Sequence, residues 1–192
     1  MKSVARSTVL AGLIVSGLVA AQVVDIEGVK FEPTMQVGGQ SLVLNGAGIR
    51  TRAFFKVYAA GLYVPEKSSN PATLLAQKGP RRVSIGMLRS VDADTFAEAL
   101  NDGLKNNLPE PQLAALKSQI DALNATLKSL GEAKKGDSIL FEFTPETGTR
   151  IVVNGQAKGA AMPGDEFFAA VLRVWIGDKP ADGGLKKGML GG

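Results

Sequence analysis

Residues 42–65 read LVLNGAGIRTRAFFKVYAAGLYVP, an apolar run broken by Gly46, Gly48, Arg50, Arg52 and Tyr58. Two readings compete for these residues. One is a glycine loop that cradles a phosphate; the other is a pair of strands that carries an arginine into a cleft. A dinucleotide fingerprint needs its glycine turn to open a helix whose N-terminus meets the pyrophosphate. Here the glycines run into IRTRAFFKVYAAGLYV, which is aromatic and β-branched, with neither a helix cap nor a third glycine in place. There is also no GxxxxGK[ST] in the chain. The strand reading stands. A glycine inside a strand pattern marks a bulge, or a place where another backbone or a ligand comes close. Arg50 would sit beside that opening, and a buried arginine must reach water, meet an Asp or Glu, or await an anionic ligand.

Working outward, Gly38-Gly39 separates Phe31–Val37 from Ser41–Asn45, a hairpin signal. Beyond Pro65 come a polar turn, a short helix near 72–77 and a strand over 82–88. The period then changes. Asp92, or Asp94 with Thr95, can cap a helix with Phe96, Ala99, Leu100, Gly103 and Leu104 on one face. A second helix over 111–130 carries a leucine stripe that suits packing onto a sheet and is too short for a coiled coil. Residues 136–144 and 149–153 alternate as strands, and Asn154-Gly155 makes a type I′ turn into 156–161. Asp165 opens a last long helix, whose Phe167, Phe168 and Trp175 read as core, and a short helix with a frayed end follows Gly177. This order predicts one α+β domain, a largely antiparallel sheet with helices on one face.

The first 21 residues have Lys2 and Arg6, an apolar run shorter than a bilayer span, and Ala20-Ala21 at its end. That is the layout of a secretory signal, with cleavage after Ala21 leaving 22–192 as the domain in the periplasm or outside the cell. No integral span is expected after cleavage. Without Lys2 and Arg6, 20 basic residues face 18 acidic ones, a net of +2. Such a balance is no footprint for nucleic acid. Arg81-Arg82, Lys134-Lys135 and Lys186-Lys187 read as solvated surface. The chain has no cysteine and no histidine, which removes disulfides, thiol and histidine catalysis, and the usual zinc ligands. No cofactor or metal is expected.

LNGAGIRTRAFFKVYAAGLYVPEK resembles the signature segment of the chalcone isomerase-like superfamily, in its exported bacterial branch. The likeness continues through FAEALNDGLKNN, KKGDSILFEF, VNGQAKG and AVLRVWIGDKPADGGLKKGML, from about Gly28 to Leu190. It implies an open-faced β-sandwich of the chalcone isomerase type, with a ligand cleft between sheet and helices. Enzymes of that family use the motif arginine with a threonine on the next strand, a tyrosine and asparagine on the helical layer, and a threonine on the last helix. Fatty-acid-binding relatives keep the arginine and have tyrosine for the first threonine. By that resemblance the ligand-binding positions here are Arg50, Tyr58 and Val174. The helical pair would fall around Leu113–Ile120, which offers neither tyrosine nor asparagine.

The expected function is non-catalytic binding of a small amphipathic acid such as a fatty acid. The alternatives are a chalcone isomerase-like lyase or isomerase on an unknown substrate, and an interaction module with a vestigial cleft. On one straight strand Arg50 and Tyr58 would stand about 26 Å apart, at ~3.3 Å per residue. To share a carboxylate, the chain must turn back within Thr51–Phe55. Arg52 and Lys56 read as solvent-facing, and Arg89 as a partner of Asp92 or Asp94 or as a residue at the cleft mouth.

Overall fold

A computed structural model describes residues 22–192; the expected export signal, 1–21, lies outside the described residues. In chain order the elements are β1 (Val24–Ile26), β2 (Val29–Phe31), β3 (Thr34–Val37), β4 (Gln40–Arg52), β5 (Phe55–Val64), α1 (Pro71–Ala76), β6 (Arg81–Met87), β7 (Val91–Asp92), α2 (Ala93–Asn107), α3 (Glu110–Ala115), α4 (Lys117–Lys128), β8 (Glu132–Ala133), β9 (Ser138–Thr144), β10 (Gly148–Val153), β11 (Gln156–Met162), α5 (Asp165–Ile176) and α6 (Gly183–Met189). Gly38-Gly39 and Asn154-Gly155 turn their hairpins with φ above zero, as their composition predicts.

The β4–β5 turn breaks that composition rule. Ala53 and Phe54 hold φ of 47° and 70°. Side chains with a Cβ pay roughly 1–2 kcal/mol each for that region, and Phe54 is fully exposed, so packing returns nothing. The turn nevertheless falls inside the five residues where the Arg50–Tyr58 separation requires it.

Seven strands form one antiparallel sheet in the order β11-β10-β9-β6-β5-β4-β3. Helices cover one face, and the β1–β2 hairpin lies on the other. Strand β5 is buried on both sides from Val57 to Val64. Tyr58, Ala60, Leu62 and Val64 join the core beneath the helices, whereas Ala59 and Tyr63 join a smaller cluster with Phe31, Val37, Leu42 and Leu44 under the hairpin. Helix α5 fills the middle of the larger core with Phe167, Phe168, Val171, Leu172, Val174 and Trp175. Helix α2 packs onto it; its cap is Asp92, whose carboxylate accepts from Asp94 N and Thr95 N.

Three expectations need correction. The leucine-striped helix is two helices, redirected at Leu116 (φ −98°, ψ 7°). Periodicity reports which residues share a face, and one altered ψ changes the axis without disturbing that order. Next, Arg81 is not a solvated cation: it has no exposure, pairs with Asp165, and lies 4.9 and 5.1 Å from the ring centres of Phe143 and Phe168. Its neighbour Arg82 pairs with Glu142 across the β6–β9 register.

Finally, the C-terminal end is docked rather than frayed. Leu185 and Met189 of α6 are fully buried, and Asn45, bulged out of the β4–β5 register, donates to Met189 O at 2.7 Å. Gly46 and Gly48 are the reason α6 can lie so close to β4. A Cβ on Gly46 would fall 2.2 Å from Gly188 O, and one on Gly188 would fall 2.5 Å from Ala47 O. The glycines of LNGAGIR therefore serve a backbone-to-backbone contact.

Candidate functional site

Because β4 and β5 fold back at Ala53-Phe54, Arg50 and Tyr58 stand directly opposite each other in the sheet register. Opposite residues project to the same face, here the face under the helices. The Arg50 guanidinium carbon lies 5.6 Å from the centre of the Tyr58 ring. Arg50 is half-buried, and its Nε is enclosed with no hydrogen-bond partner. Among the described residues it forms no ion pair. Asp182 is close enough to act on Tyr58 electrostatically, but its oxygens accept from the backbone N–H groups of Thr51 and Leu185, both at 2.9 Å.

Tyr58 is 3% exposed, and its hydroxyl accepts from Trp175 Nε1 at 2.9 Å. An accepting phenol keeps its own proton to donate. Burial pushes its pKa above the ordinary tyrosine value, against the opposing pull of Arg50 and of the indole N–H. The group is thus a neutral donor at physiological pH. The guanidinium lies over the phenol ring, and an unpartnered guanidinium N–H with a phenol O–H is a donor set that a carboxylate accepts from.

Three spaces converge on Arg50. The innermost is a seam of only about 10 Å³ between Arg50, Tyr58, Phe96, Ala99, Leu100, Val174 and Ala181, room for about one water. Val174 thus joins Arg50 and Tyr58, and contributes an apolar wall. Outside the seam, a groove of about 380 Å³ runs between the β4–β5 tip and α2, with Val57, Phe55, Val91 and Phe96 as apolar lining and Arg52 and Arg89 at its rim. On the other side of Arg50 a more polar hollow of about 310 Å³ is lined by Asp102, Asn106 and Lys179.

Two assignments shift. The helical layer over the pair is α2, through Phe96, Ala99 and Leu100, whereas Leu113 and Ile120 line a separate groove with Leu104 and Lys117. Arg89 makes no ion pair with Asp92 or Asp94 among the described residues; its guanidinium stacks over Phe55 at 4.3 Å. Trp175 was legible as core, but its bond to Tyr58, 117 residues away, left no local trace. Lys56 is exposed as expected and pairs with Glu27 at 2.7 Å. No group of acidic residues that could hold a metal ion occurs among the described residues, and no described helix is long and apolar enough to cross a membrane.

The family model described as chalcone isomerase-like matches residues 23–191. The chain belongs to the chalcone isomerase-like family. Among solved structures, this chalcone isomerase-like chain superposes on the crystal structure of a fatty-acid binding protein of Arabidopsis thaliana with a TM-score of 0.68, at 14% identity, over 88% of this chain and 96% of that one. At that identity the likeness is one of fold. No curated protein matches the sequence. The open-faced arrangement, a curled antiparallel sheet with helices over one side, is the architecture of the family.

Proposed function

We propose that this protein is an exported, non-catalytic binder of a small amphipathic carboxylic acid such as a fatty acid, with the headgroup at Arg50 and Tyr58. The observation that carries this reading is the half-buried guanidinium with an enclosed, unpartnered Nε beside a phenol that still has a proton to give. A superposable fold in a fatty-acid binding protein supports it. Within the inner seam the pair is met only by the apolar Phe96, Ala99, Leu100, Val174 and Ala181, and the one further donor at the phenol, the Trp175 indole N–H, is already bonded to it. The inner seam as it stands holds neither tail nor carboxylate. The tail therefore lies in the outer groove that Arg50 also lines, whose 380 Å³ falls within the roughly 300–1,000 Å³ of ligand pockets, and the headgroup reaches Tyr58 as α2 gives way over the seam.

Native mass spectrometry of protein purified from its own compartment, with fatty acid titration of the delipidated protein, tests this. Arg50→Ala should weaken binding about ten- to hundredfold, since hydrogen bonds to a charged group contribute roughly 1.5–3 kcal/mol. Tyr58→Phe should weaken it by less. If the native protein carries no acid and added fatty acids do not bind, the reading fails. Export is checked separately: the amino terminus of the extracytoplasmic protein should be Gln22. One observation favours a second reading, an interaction module with a filled cleft, namely the 10 Å³ seam. A protein that binds no acid, and whose Arg50→Ala variant is unchanged in every titration, would favour it.

A further inference from the structure

The chain has eight phenylalanines. Six are buried, and the other two stand side by side at the β4–β5 tip, Phe54 at 101% and Phe55 at 58% exposure. Phe54 is also held at positive φ, in a turn where asparagine and glycine would sit without strain. Phe55 lies under the Arg89 guanidinium, whereas the fold gains nothing from the exposure or the φ of Phe54. Around the tip lie Arg52, Lys56 and Arg89. Of these only Lys56 has an ion pair among the described residues, with Glu27. Asp92, which also lines the groove, forms no ion pair with Arg52 or Arg89 among the described residues and turns its carboxylate to the first N–H groups of α2. The tip therefore presents a protruding aromatic pair inside a cationic collar.

We propose that this tip docks the protein onto an anionic lipid bilayer, Phe54 entering the interface while Arg52 and Arg89 meet lipid phosphates. Phe54 caps a convex two-residue turn and stands clear of the groove beside it, and lipid headgroups part around such a wedge. Apolar insertion combined with basic attraction is how peripheral proteins hold an anionic surface. The acid-binding groove opens at this tip, since Arg52, Ala53, Phe55 and Arg89 all line it. Docking thus brings the groove mouth to the source of acyl chains. That consequence rests on the proposed function, whereas the docking itself does not.

The test is flotation with vesicles of equal parts phosphatidylglycerol and phosphatidylcholine, with pure phosphatidylcholine as control. Every variant is compared with the wild-type chain carrying the same amino terminus. Wild type should float with the anionic vesicles and release as salt rises. Arg52→Ser with Arg89→Ser should bind about thirtyfold more weakly, from the attraction of two basic residues to an anionic surface. Ala53→Asn with Phe54→Gly should lose flotation while melting no lower than wild type, because it places unstrained residues in the turn. The chain's single tryptophan is buried, so Phe54→Trp adds one reporter, whose emission should shift to the blue with anionic vesicles only. Retained flotation of the Asn-Gly variant, or no shift of Trp emission with anionic vesicles, overturns the proposal. A shift that appears without lipid, rises with protein concentration and accompanies a dimer on size exclusion assigns the tip to self-association, and overturns it too. Acid binding measured on Phe54→Gly alone, which alters no residue lining the groove, should persist, which separates failure of docking from failure of the binding site.

Discussion

Arg81 keeps a cation between two aromatic rings at zero exposure, and Asp165 is what makes that tolerable. Burial pulls its pKa down and the Asp165 carboxylate pulls it back up. Asp165 also accepts from Lys78 at 2.7 Å and opens α5, so the pair ties strand β6 to the helix in the middle of the core. Removing the acid should therefore harm more than removing the base. Asp165→Asn leaves a buried charge without its counter-ion and is expected to destabilise by about 3–5 kcal/mol, read as a lower urea midpoint. Arg81→Met leaves Asp165, which is partly exposed and keeps Lys78, and should cost clearly less. This arginine was legible after all. In RRVSIGM the alternation places Arg81 in phase with Val83, Ile85 and Met87, all buried, and Arg82 in phase with Ser84 and Gly86 on the other face. Reading the two arginines as one charged pair overlooked the period of two. For Arg50 the sequence left water, a protein carboxylate and a ligand open, and only the absence of an ion pair among the described residues narrows that choice.

At the scale of elements, the hairpin that builds the site was found by distance and not by composition. A turn between Arg50 and Tyr58 follows from their separation, whereas Ala-Phe carries no turn signature. Asn154-Gly155 shows the opposite case, a turn readable from two letters. The break at Leu116 and the β1–β2 hairpin were missed for a shared reason: each depends on what lies beneath. Gly61 and Gly86 let the hairpin lie flat, a Cβ there meeting Phe31 at 2.6 Å and Val29 at 2.5 Å. Helix α6 needs the same closeness against β4. Gly188→Ala should push α6 off the strand, at roughly 1–3 kcal/mol, the usual scale of overpacking. Hydrogen exchange should then rise across 183–190 before it rises in α2 or α5. Equal protection in the variant and the wild type would show that the contact is slack.

The whole molecule encloses both of its tyrosines, one in each of its two cores. Burial raises Tyr58, and it raises Tyr63, with help from Glu32, to about 12. The native state thus holds these two protons at a pH where the unfolded chain, with tyrosines near 10, releases them. Stability is whole below pH 10 and declines as pH climbs toward 12 and beyond. Ultraviolet titration should show no phenolate in the native protein at pH 10, and both phenolates should appear together with unfolding. Tyr63→Phe should flatten that decline; a wild-type phenolate signal at pH 10 with intact circular dichroism would contradict the enclosure. How two cores share one sheet was only half readable, since β5 presents an unbroken apolar run that does not say what covers each side. The cavity sizes were not readable at all, because they depend on how closely α2 settles over α5.

Docking of α6 also fixes the strand that bears Arg50. Asn45 and Met189 are hydrogen-bonded across 144 residues, so a segment distant in sequence clamps that strand. Helix α6 lines none of the three spaces around Arg50, so a variant ending at Gly183 keeps their walls while uncovering Gly46 and Gly48. Under the proposed function, such a truncation should weaken acid binding through the position of that strand and not through a lost wall of the groove.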